Sequence, residues 1–264
     1  ENIPLNRNPL GNQNPPELNS VDYNADLQKT VETAKYESGK LRLSVYHPYL
    51  KTRIAVVFAF IALFIIVSAN SSKLAKIFQV SGIKDFTFST SKAMQNFFRR
   101  HIALRNSLLI FSSLSVDLLG LFSIWLFLLY SKSFRFFISL VIYGLLLLIF
   151  QNIFSYVDSS SSLWNYPGFP SFIISYSKSD SYYYCGAIGF SVICGLEFMK
   201  YNYSVMTKYC YFSVFLQSII LIVIREHYIV DIVTGIIVAH YCFLVAGLVS
   251  DNVDLSVMNN EEDN

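Results

Sequence analysis

The chain has 264 residues, of which 53% are hydrophobic, 16% aromatic and only 14% charged, whereas soluble domains carry about 25% charged residues. The net charge is only +2 and neither end carries a long basic run, which excludes a nucleic-acid-binding protein. Several apolar runs approach or exceed the ~18–20 residues needed to cross a bilayer. The composition therefore predicts an integral membrane protein.

The two ends of the chain are polar. Residues 1–50 form an Asn- and Pro-rich tail, in which a short helical stretch of mixed charge is predicted at 24–42. The sequence starts without Met and without a signal-like apolar region, as expected for a processed N-terminus, although a trimmed one would look the same. Residues 251–264 form a second, acidic tail. Both tails are too poor in hydrophobic residues to fold alone.

Between the tails lies a predicted membrane domain at 51–250, with a basic amphipathic loop at 70–106. In this loop the stretch "QNFFRRHIALRN" is expected to lie at the membrane surface. The fold class is an all-α membrane protein, a bundle of six transmembrane helices. The six spans are predicted near 54–69, 107–130, 134–155, 183–199, 209–224 and 230–249.

The number of spans has a topological consequence. Basic residues are about equally frequent on the two sides, so the positive-inside rule does not orient the chain. With six spans, however, the N-terminal ends of spans four and six face the same side of the membrane. Residues 182–190 and 225–231 are therefore expected to converge.

Few polar residues lie inside the predicted spans. Asp117 in span two is either a polar contact or relay, or a neutral hydrogen-bonded acid inside the bundle. Glu197 is expected to form a surface pair with Lys200. The cysteines have no zinc-ligand spacing, no metal or cofactor is expected, and all four are predicted to be small buried side chains: Cys185, Cys194, Cys210 and Cys242.

The main candidate site lies in "REHYIVDIVTG". His227 and Asp231 are spaced i, i+4 and so share one helical face. The carboxylate can accept the N–H of one imidazole nitrogen, which leaves the other for nucleophilic attack or proton transfer. Arg225 can hold phosphate oxygens through its guanidinium. The residues alone leave open a second interpretation, a polar cluster that ends a helix at the interface.

Residues 216–235 resemble the C-terminal motif of the sphingomyelin synthase and phosphatidylcholine:diacylglycerol cholinephosphotransferase family, part of the type 2 phosphatidic acid phosphatase superfamily. That motif is Arg-Gly-His-Tyr-x-x-Asp, usually followed by a Gly. The upstream stretch "YPGFPSFIISYSKSDSYYYCGAIGF" resembles the family's other motif, Asp-x-x-x-Ser-Gly-His, through Gly186. The resemblance covers about residues 100–250, and in the second motif the matching residues are Arg225, His227, Tyr228, Asp231 and Gly235.

The resemblance implies a role for each matching residue. His227 would be the nucleophile that forms a phosphohistidine, and Asp231 would orient it. Arg225 and Tyr228 would bind the phospholipid. No cofactor or metal is implied.

The sequence departs from the family pattern at the reacting centre. The histidine of the first motif, which protonates the leaving alkoxide in the family, falls on Ala187, and Cys185 replaces the usual Ser. A positioned general acid contributes about 10²–10⁴ in rate. Glu226 replaces the family's glycine and brings a carboxylate toward an anionic substrate. His227 and Asp231 are therefore expected to be a vestigial catalytic pair.

Three other histidines are candidates to replace the missing acid. His101 lies in the basic loop, His240 lies deep in span six, and His47 lies across the membrane. None has a spacing that predicts convergence with His227. Each is expected to be an interfacial or packed side chain.

Two functions follow from these observations. In the first, the protein is a catalytically silent accessory subunit of a large membrane complex, holding a phospholipid in the vestigial site and contacting other subunits through its polar tails. The absent Met favours the mitochondrial inner membrane and the respiratory chain, with the endoplasmic reticulum or Golgi as the alternative. In the second, it is an active lipid phosphate or phosphocholine transferase that uses His227 and Asp231 with an unrecognised acid.

Overall fold

A computed structural model describes residues 50–70, 78–80, 85–131, 133–156, 162–174, 176 and 185–262. Residues 1–49 of the polar N-terminal tail, with the helical stretch predicted at 24–42, lie outside the described residues. The described part is predominantly helical. Its helices are α1 (Leu50–Asn70), α2 (Phe86–Thr90), α3 (Lys92–Arg100), α4 (Ile102–Leu129), α5 (Arg135–Ile153), α6 (Gly186–Lys200), α7 (Ser204–Ile224) and α8 (Ile229–Glu262).

Two short strands join the segments that follow α1 and α5. Strand β1 (Phe78–Val80) pairs in parallel with β2 (Phe154–Tyr156), with Phe78 opposite Phe154. Each strand has three residues, which is far below the usual length of about 5–6 residues. The strand pair links the segment after α1 to the segment after α5, and it is too short to form a layer of the fold.

Each of the six predicted spans contains a helix, namely α1, α4, α5, α6, α7 and α8. Among the described residues, three stretches are long and apolar enough to cross a membrane: Ile102–Leu129, Ser204–Ile224 and Ile229–Asp254. Arg135–Phe150 is a shorter apolar helix. The protein is thus an integral membrane protein with three candidate membrane-spanning helices, and the count of six spans stays a prediction.

Helix α6 lies at the centre of the bundle and packs most extensively on α7 and α8, while α5 packs on α8. From Ile188 to Phe198 nearly every side chain of α6 is buried, which explains why its sequence shows no amphipathic pattern. Close approach to α7 depends on Gly195, because a Cβ there would lie 3.1 Å from Cβ of Cys210. The four cysteines are buried and unpaired, as predicted.

The basic loop contains the surface helices α2 and α3. The last turn of α3 carries Arg99 and Arg100. At the next residue, His101, the backbone leaves helical geometry (φ −109°, ψ 72°). Helix α4 then starts at Ile102, five residues before the predicted start of span two. The amphipathic stretch is therefore divided between a surface helix and the first turns of a membrane helix.

The end of the bundle formed by α5, α6 and α8 corrects one prediction. Glu197 is buried and its carboxylate lies 3.4 Å from the guanidinium of Arg135, so the predicted surface pair with Lys200 is wrong. Arg135 also lies over the ring of Phe243, at 4.1 Å from the centroid. The partner of Glu197 belongs to another helix, which sequence proximity could not indicate.

Helix α8 continues through Glu262, past the predicted end of span six at 249 and into the acidic tail. Asp254 accepts a hydrogen bond from the backbone N–H of Phe134, at 3.0 Å. Because Phe134 directly precedes α5, this contact fixes the beginning of the extension against the bundle. The extension is a helical continuation of the last apolar helix.

Candidate functional site

The start of α6 meets the start of α8, which confirms the predicted convergence for the described residues 185–190. The backbone N–H of Cys185 donates to the carbonyl oxygen of Asp231 at 3.2 Å. A Cβ at Gly235 would lie 3.1 Å from the carbonyl oxygen of Cys185, so the approach requires a glycine there. From α5, the hydroxyl of Tyr143 donates to the same carbonyl at 3.0 Å. Three helices thus fix the position of Cys185.

The turn between α7 and α8 carries the residues Arg225, Glu226 and His227. Arg225 lies in the left-handed region (φ 61°, ψ 38°). Its N–H donates to the Ile222 carbonyl at 3.2 Å, and the N–H of Glu226 donates to the Leu221 carbonyl at 3.0 Å. This is the hydrogen-bond pattern of a Schellman motif, which usually places glycine at the left-handed position. The sharp turn directs His227 back toward the bundle.

His227 and Asp231 are paired as the i, i+4 spacing predicts. His227 Nδ1 and Asp231 Oδ2 are 3.4 Å apart, a long contact, and Asp231 is fully buried. The same Oδ2 accepts the backbone N–H of Tyr228 at 3.0 Å, which satisfies an amide at the start of α8. Oδ1 of Asp231 has no hydrogen-bond partner among the residues that the structure describes.

The electrostatic environment of His227 favours a proton on the imidazole. Burial opposes the charged form, but the adjacent sulfur of Cys185 and carboxylate of Asp231 outweigh it, so the pKa of His227 lies well above its ordinary value. Cys185 and His227 line the same cavity. Since Nδ1 faces Asp231, the second ring nitrogen remains for Cys185.

Arg225 and Tyr228 contact the surface helix α2. A guanidinium nitrogen of Arg225 donates to the Phe88 carbonyl at 2.7 Å, and the ring of Tyr228 stacks on that of Phe88 with centroids 5.1 Å apart. Asp85 accepts the N–H of Ile229 at 2.8 Å. Arg225 and Tyr228 are not among the described residues that line the cavity beside His227, and their roles in phospholipid binding stay predictions.

A cavity of about 290 Å³ opens beside His227. Apolar side chains of α1 and α5 form most of its wall, and Trp164 and Ile173 contribute from the segment 162–174. Its polar lining is confined to a few side chains near the two motifs. Among the described residues these are Tyr143, Cys185, Gln217, Glu226 and His227, together with the indole N–H of Trp164.

The position opposite His227 carries no imidazole. Ala187 lines the cavity, and within the described part of the chain His227 is the one histidine that does so. His101 is exposed and packs against Phe97, with centroids 4.5 Å apart. His240 is exposed on α8, and His47 lies outside the described residues. The cavity therefore lacks the histidine that the family pattern would place at 187.

Glu226 brings a carboxyl group into the same cavity. It is 6% exposed and accepts a hydrogen bond from the hydroxyl of Ser162 at 3.2 Å. At neutral pH a carboxylate at this position would repel an anionic phosphate group, since little solvent screens the charges. Glu226, which stands where the family pattern has glycine, thus adds a carboxyl group to the cavity.

Asp117 holds the segment that covers this end of the bundle. It is buried and accepts hydrogen bonds from the Ser171 hydroxyl at 2.9 Å and from the backbone N–H of Ile173 at 3.0 Å. These hydrogen bonds fit both alternatives that the sequence left open, because a carboxylate and a neutral acid can each accept them. Asp117 fixes the segment that supplies Trp164 and Ile173 to the cavity.

Comparison with known proteins adds no relative to this description. Searches of protein-family models, of curated proteins and of solved structures find no match for the chain. Within the described residues, no group of three or more His, Cys, Asp or Glu side chains is arranged to hold a metal ion.

Proposed function

We propose that the protein is a membrane protein of the lipid phosphotransferase type that binds a lipid in the cavity beside His227 and has lost phosphoryl transfer. The observation that carries this proposal is the convergence of the two motifs on one cavity, with the alanine at 187 where an acid is needed. The resemblance supplies the expected reaction, and the alanine at 187 supports the loss of its acid.

The lining of the cavity favours a lipid ligand. Its walls are mainly aliphatic and aromatic, and its polar groups gather at the end formed by Cys185, Glu226 and His227. Binding sites of this kind bury an apolar body and orient it through a few polar contacts. A lipid chain would lie against α1 and α5, with the polar part of the molecule near His227.

Loss of phosphoryl transfer follows from two side chains. Ala187 cannot protonate a departing alkoxide, and an absent general acid costs about 10²–10⁴ in rate. Glu226 adds a carboxyl group next to the position of the phosphate. Both changes act at the same reacting centre, so both lower the rate of phosphoryl transfer.

The proposal extends to the setting of the protein. As a lipid-binding protein without phosphoryl transfer, it would serve as an accessory subunit of a larger membrane complex, with the mitochondrial inner membrane and the respiratory chain as the favoured location. Copurification with other subunits in fixed stoichiometry would support this part. Isolation as a lone protein from the endoplasmic reticulum or Golgi would refute it, without bearing on lipid binding.

Lipid binding is tested by blocking the cavity. Gly144 lines it and a Cβ there would meet nothing within 4 Å, so Gly144→Trp fills the space without displacing backbone. Full-length protein in detergent is examined by native mass spectrometry for retained lipid. We expect wild type and the control Leu248→Trp, which alters an exposed side chain, to retain lipid that Gly144→Trp loses. Equal retention in all three would overturn the proposal.

The alternative is an active transferase, and one observation favours it. His227 and Asp231 keep the contact that a phosphohistidine mechanism requires. Incubation with a phospholipid radiolabelled in its phosphate would then place label on His227, and His227→Ala would remove it. Label on His227 in wild-type protein would establish this alternative over the silent site.

A further inference from the structure

The same cavity contains a second arrangement of reactive groups, which the family pattern does not include. Cys185 is 2% exposed overall, yet it lines the cavity beside His227. His227 lines the same cavity, the backbone N–H of Cys185 donates to the Asp231 carbonyl at 3.2 Å, and the Asp231 carboxylate contacts the imidazole through Nδ1. Thiol, imidazole and carboxylate therefore stand in the order that nucleophilic cysteine catalysis uses.

We propose that Cys185 is a nucleophile that accepts a long-chain acyl group from an ester or thioester bound in the cavity, with His227 as its base and Asp231 as a positioning residue. This goes beyond the proposed lipid binding, because it assigns a reaction to the site. It rests on the cavity admitting an acyl chain, and it does not depend on how a phosphate is bound.

The step balances without an oxidant or a further reactant. His227 first takes the proton of the Cys185 thiol, and Sγ then attacks the carbonyl carbon as the thiolate, so that a C–S bond forms, the carbonyl π electrons move to oxygen and His227 holds the proton. Collapse of this intermediate breaks the bond to the leaving thiolate or alkoxide, which takes the proton from His227. The products are an acyl-Cys185 thioester and a free thiol or alcohol.

The start of α6 can stabilise the intermediate. Cys185 is the residue before α6, and its own side chain makes no capping hydrogen bond. The first amides of a helix have no intrahelical acceptor, and Gly186 and Ala187 line the cavity at this point. Amides at a helix N-terminus favour negative charge, both on an adjacent sulfur and on an oxyanion. The small side chains at 186 and 187 leave these amides accessible.

This site suits an acyl carbonyl better than a phosphate as the electrophile. Glu226 would repel an anionic phosphorus centre, whereas an ester or thioester carbonyl is neutral. Trp164 on the same wall is 5% exposed, and its indole N–H has no acceptor among the described residues. A ligand oxygen is the kind of partner that this buried donor lacks.

Two acyl donors separate the possible sources. Full-length protein in nanodiscs is incubated either with palmitoyl-coenzyme A or with phosphatidylcholine, each carrying a labelled acyl chain. Label on the protein is measured before and after neutral hydroxylamine, which cleaves thioesters. We expect hydroxylamine-sensitive label on Cys185 from at least one donor. Cys185→Ser should lose it, and His227→Gln should lower the initial rate about 10²-fold or more. Cys242→Ser, a buried cysteine outside the cavity lining, should match wild type.

Three results would overturn the proposal: no label at Cys185 from either donor, equal rates in wild type and His227→Gln, or equal labelling of Cys185→Ser. Native mass spectrometry of the same samples shows whether lipid is retained. If lipid is retained but Cys185 is not acylated, the proposed nucleophile is refuted and lipid binding is not. If no lipid is retained, lipid binding itself is refuted. A folded Cys185→Ser protein is recognised by retained lipid.

The role of Asp231 is tested by the pH dependence of the rate. The titratable side chains that share the cavity with His227 are Tyr143, Cys185 and Glu226, and Asp231 lies behind the imidazole. Loss of the carboxylate in Asp231→Asn lowers the pKa of His227, so the acidic limb of the pH–rate profile should move to lower pH. If Asp231→Asn lowers the acylation rate at every pH and leaves the acidic limb at the same pH, Asp231 has a purely structural role.

Discussion

The backbone N–H of Cys185 donates to the carbonyl oxygen of Asp231 across 3.2 Å. This hydrogen bond joins the starts of α6 and α8, and its two residues are 46 positions apart in sequence (231 − 185). It places the first motif against the second and brings the Cys185 thiol beside His227.

Gly235 allows the backbone of Cys185 to approach α8. A Cβ at 235 would lie 3.1 Å from the Cys185 carbonyl oxygen, whereas a Cβ at Gly144 would meet nothing within 4 Å. We expect Gly235→Ala to lower the free energy of unfolding by about 1–3 kcal/mol, and Gly144→Ala to leave it unchanged or raise it slightly. Thermal unfolding in nanodiscs measures both. Equal stability of the two variants would contradict this account of the junction.

Arg225 carries a left-handed backbone (φ 61°) and a side chain that contacts Phe88. Arg225→Gly and Arg225→Ala both remove the side-chain contact, but glycine alone adopts this conformation without strain. The glycine variant is therefore expected to be more stable than the alanine variant by about 1 kcal/mol. Chemical denaturation of the pair measures the difference, and a more stable alanine variant would argue against the observed turn.

The buried pair of Glu197 and Arg135 fixes the opposite end of α6. Glu197→Gln leaves the Arg135 charge with a neutral partner, which is expected to lower the free energy of unfolding by about 3 kcal/mol. Lys200→Gln changes an exposed side chain three residues away and is expected to fall within about 0.5 kcal/mol of wild type. If Lys200→Gln were the more damaging change, the surface pair predicted from the sequence would be correct after all.

The raised pKa of His227 links stability to pH. A group whose pKa is higher in the folded state contributes stability that is fully present below its unfolded pKa of about 6.5 and is lost as pH rises through the folded value. His227→Gln removes this contribution. The melting temperature of wild type should therefore exceed that of His227→Gln most at about pH 6, and the gap should narrow toward about pH 9. A gap that widens with pH would mean that the folded protein favours a neutral imidazole.

Hydropathy and topology predicted much of the framework. Apolar runs located a helix at each of the six predicted spans, because burial in a membrane requires long apolar segments. The parity of spans four and six predicted that residues near 185 and 227 would meet. The starts of the helices were less predictable, and α4 begins at Ile102 because the surface segment continues into it after a single non-helical residue.

The details of the site depended on contacts that a sequence does not display. Glu197 could be paired only with a neighbour in sequence, and its partner Arg135 lies on another helix. Arg225 turns toward Phe88 because of its left-handed backbone. Cys185 was expected to be an inert buried side chain, and the one available signal was its position at the start of a helix facing the His227 motif.

The central claim is that phosphoryl transfer is lost because position 187 lacks an acid and position 226 carries a carboxyl group. The most direct measurement is the transfer of labelled phosphocholine from phosphatidylcholine to another lipid by purified protein in nanodiscs. We expect no turnover by wild type, and measurable turnover after Ala187→His combined with Glu226→Gly. Wild-type turnover that disappears in His227→Ala would contradict the claim.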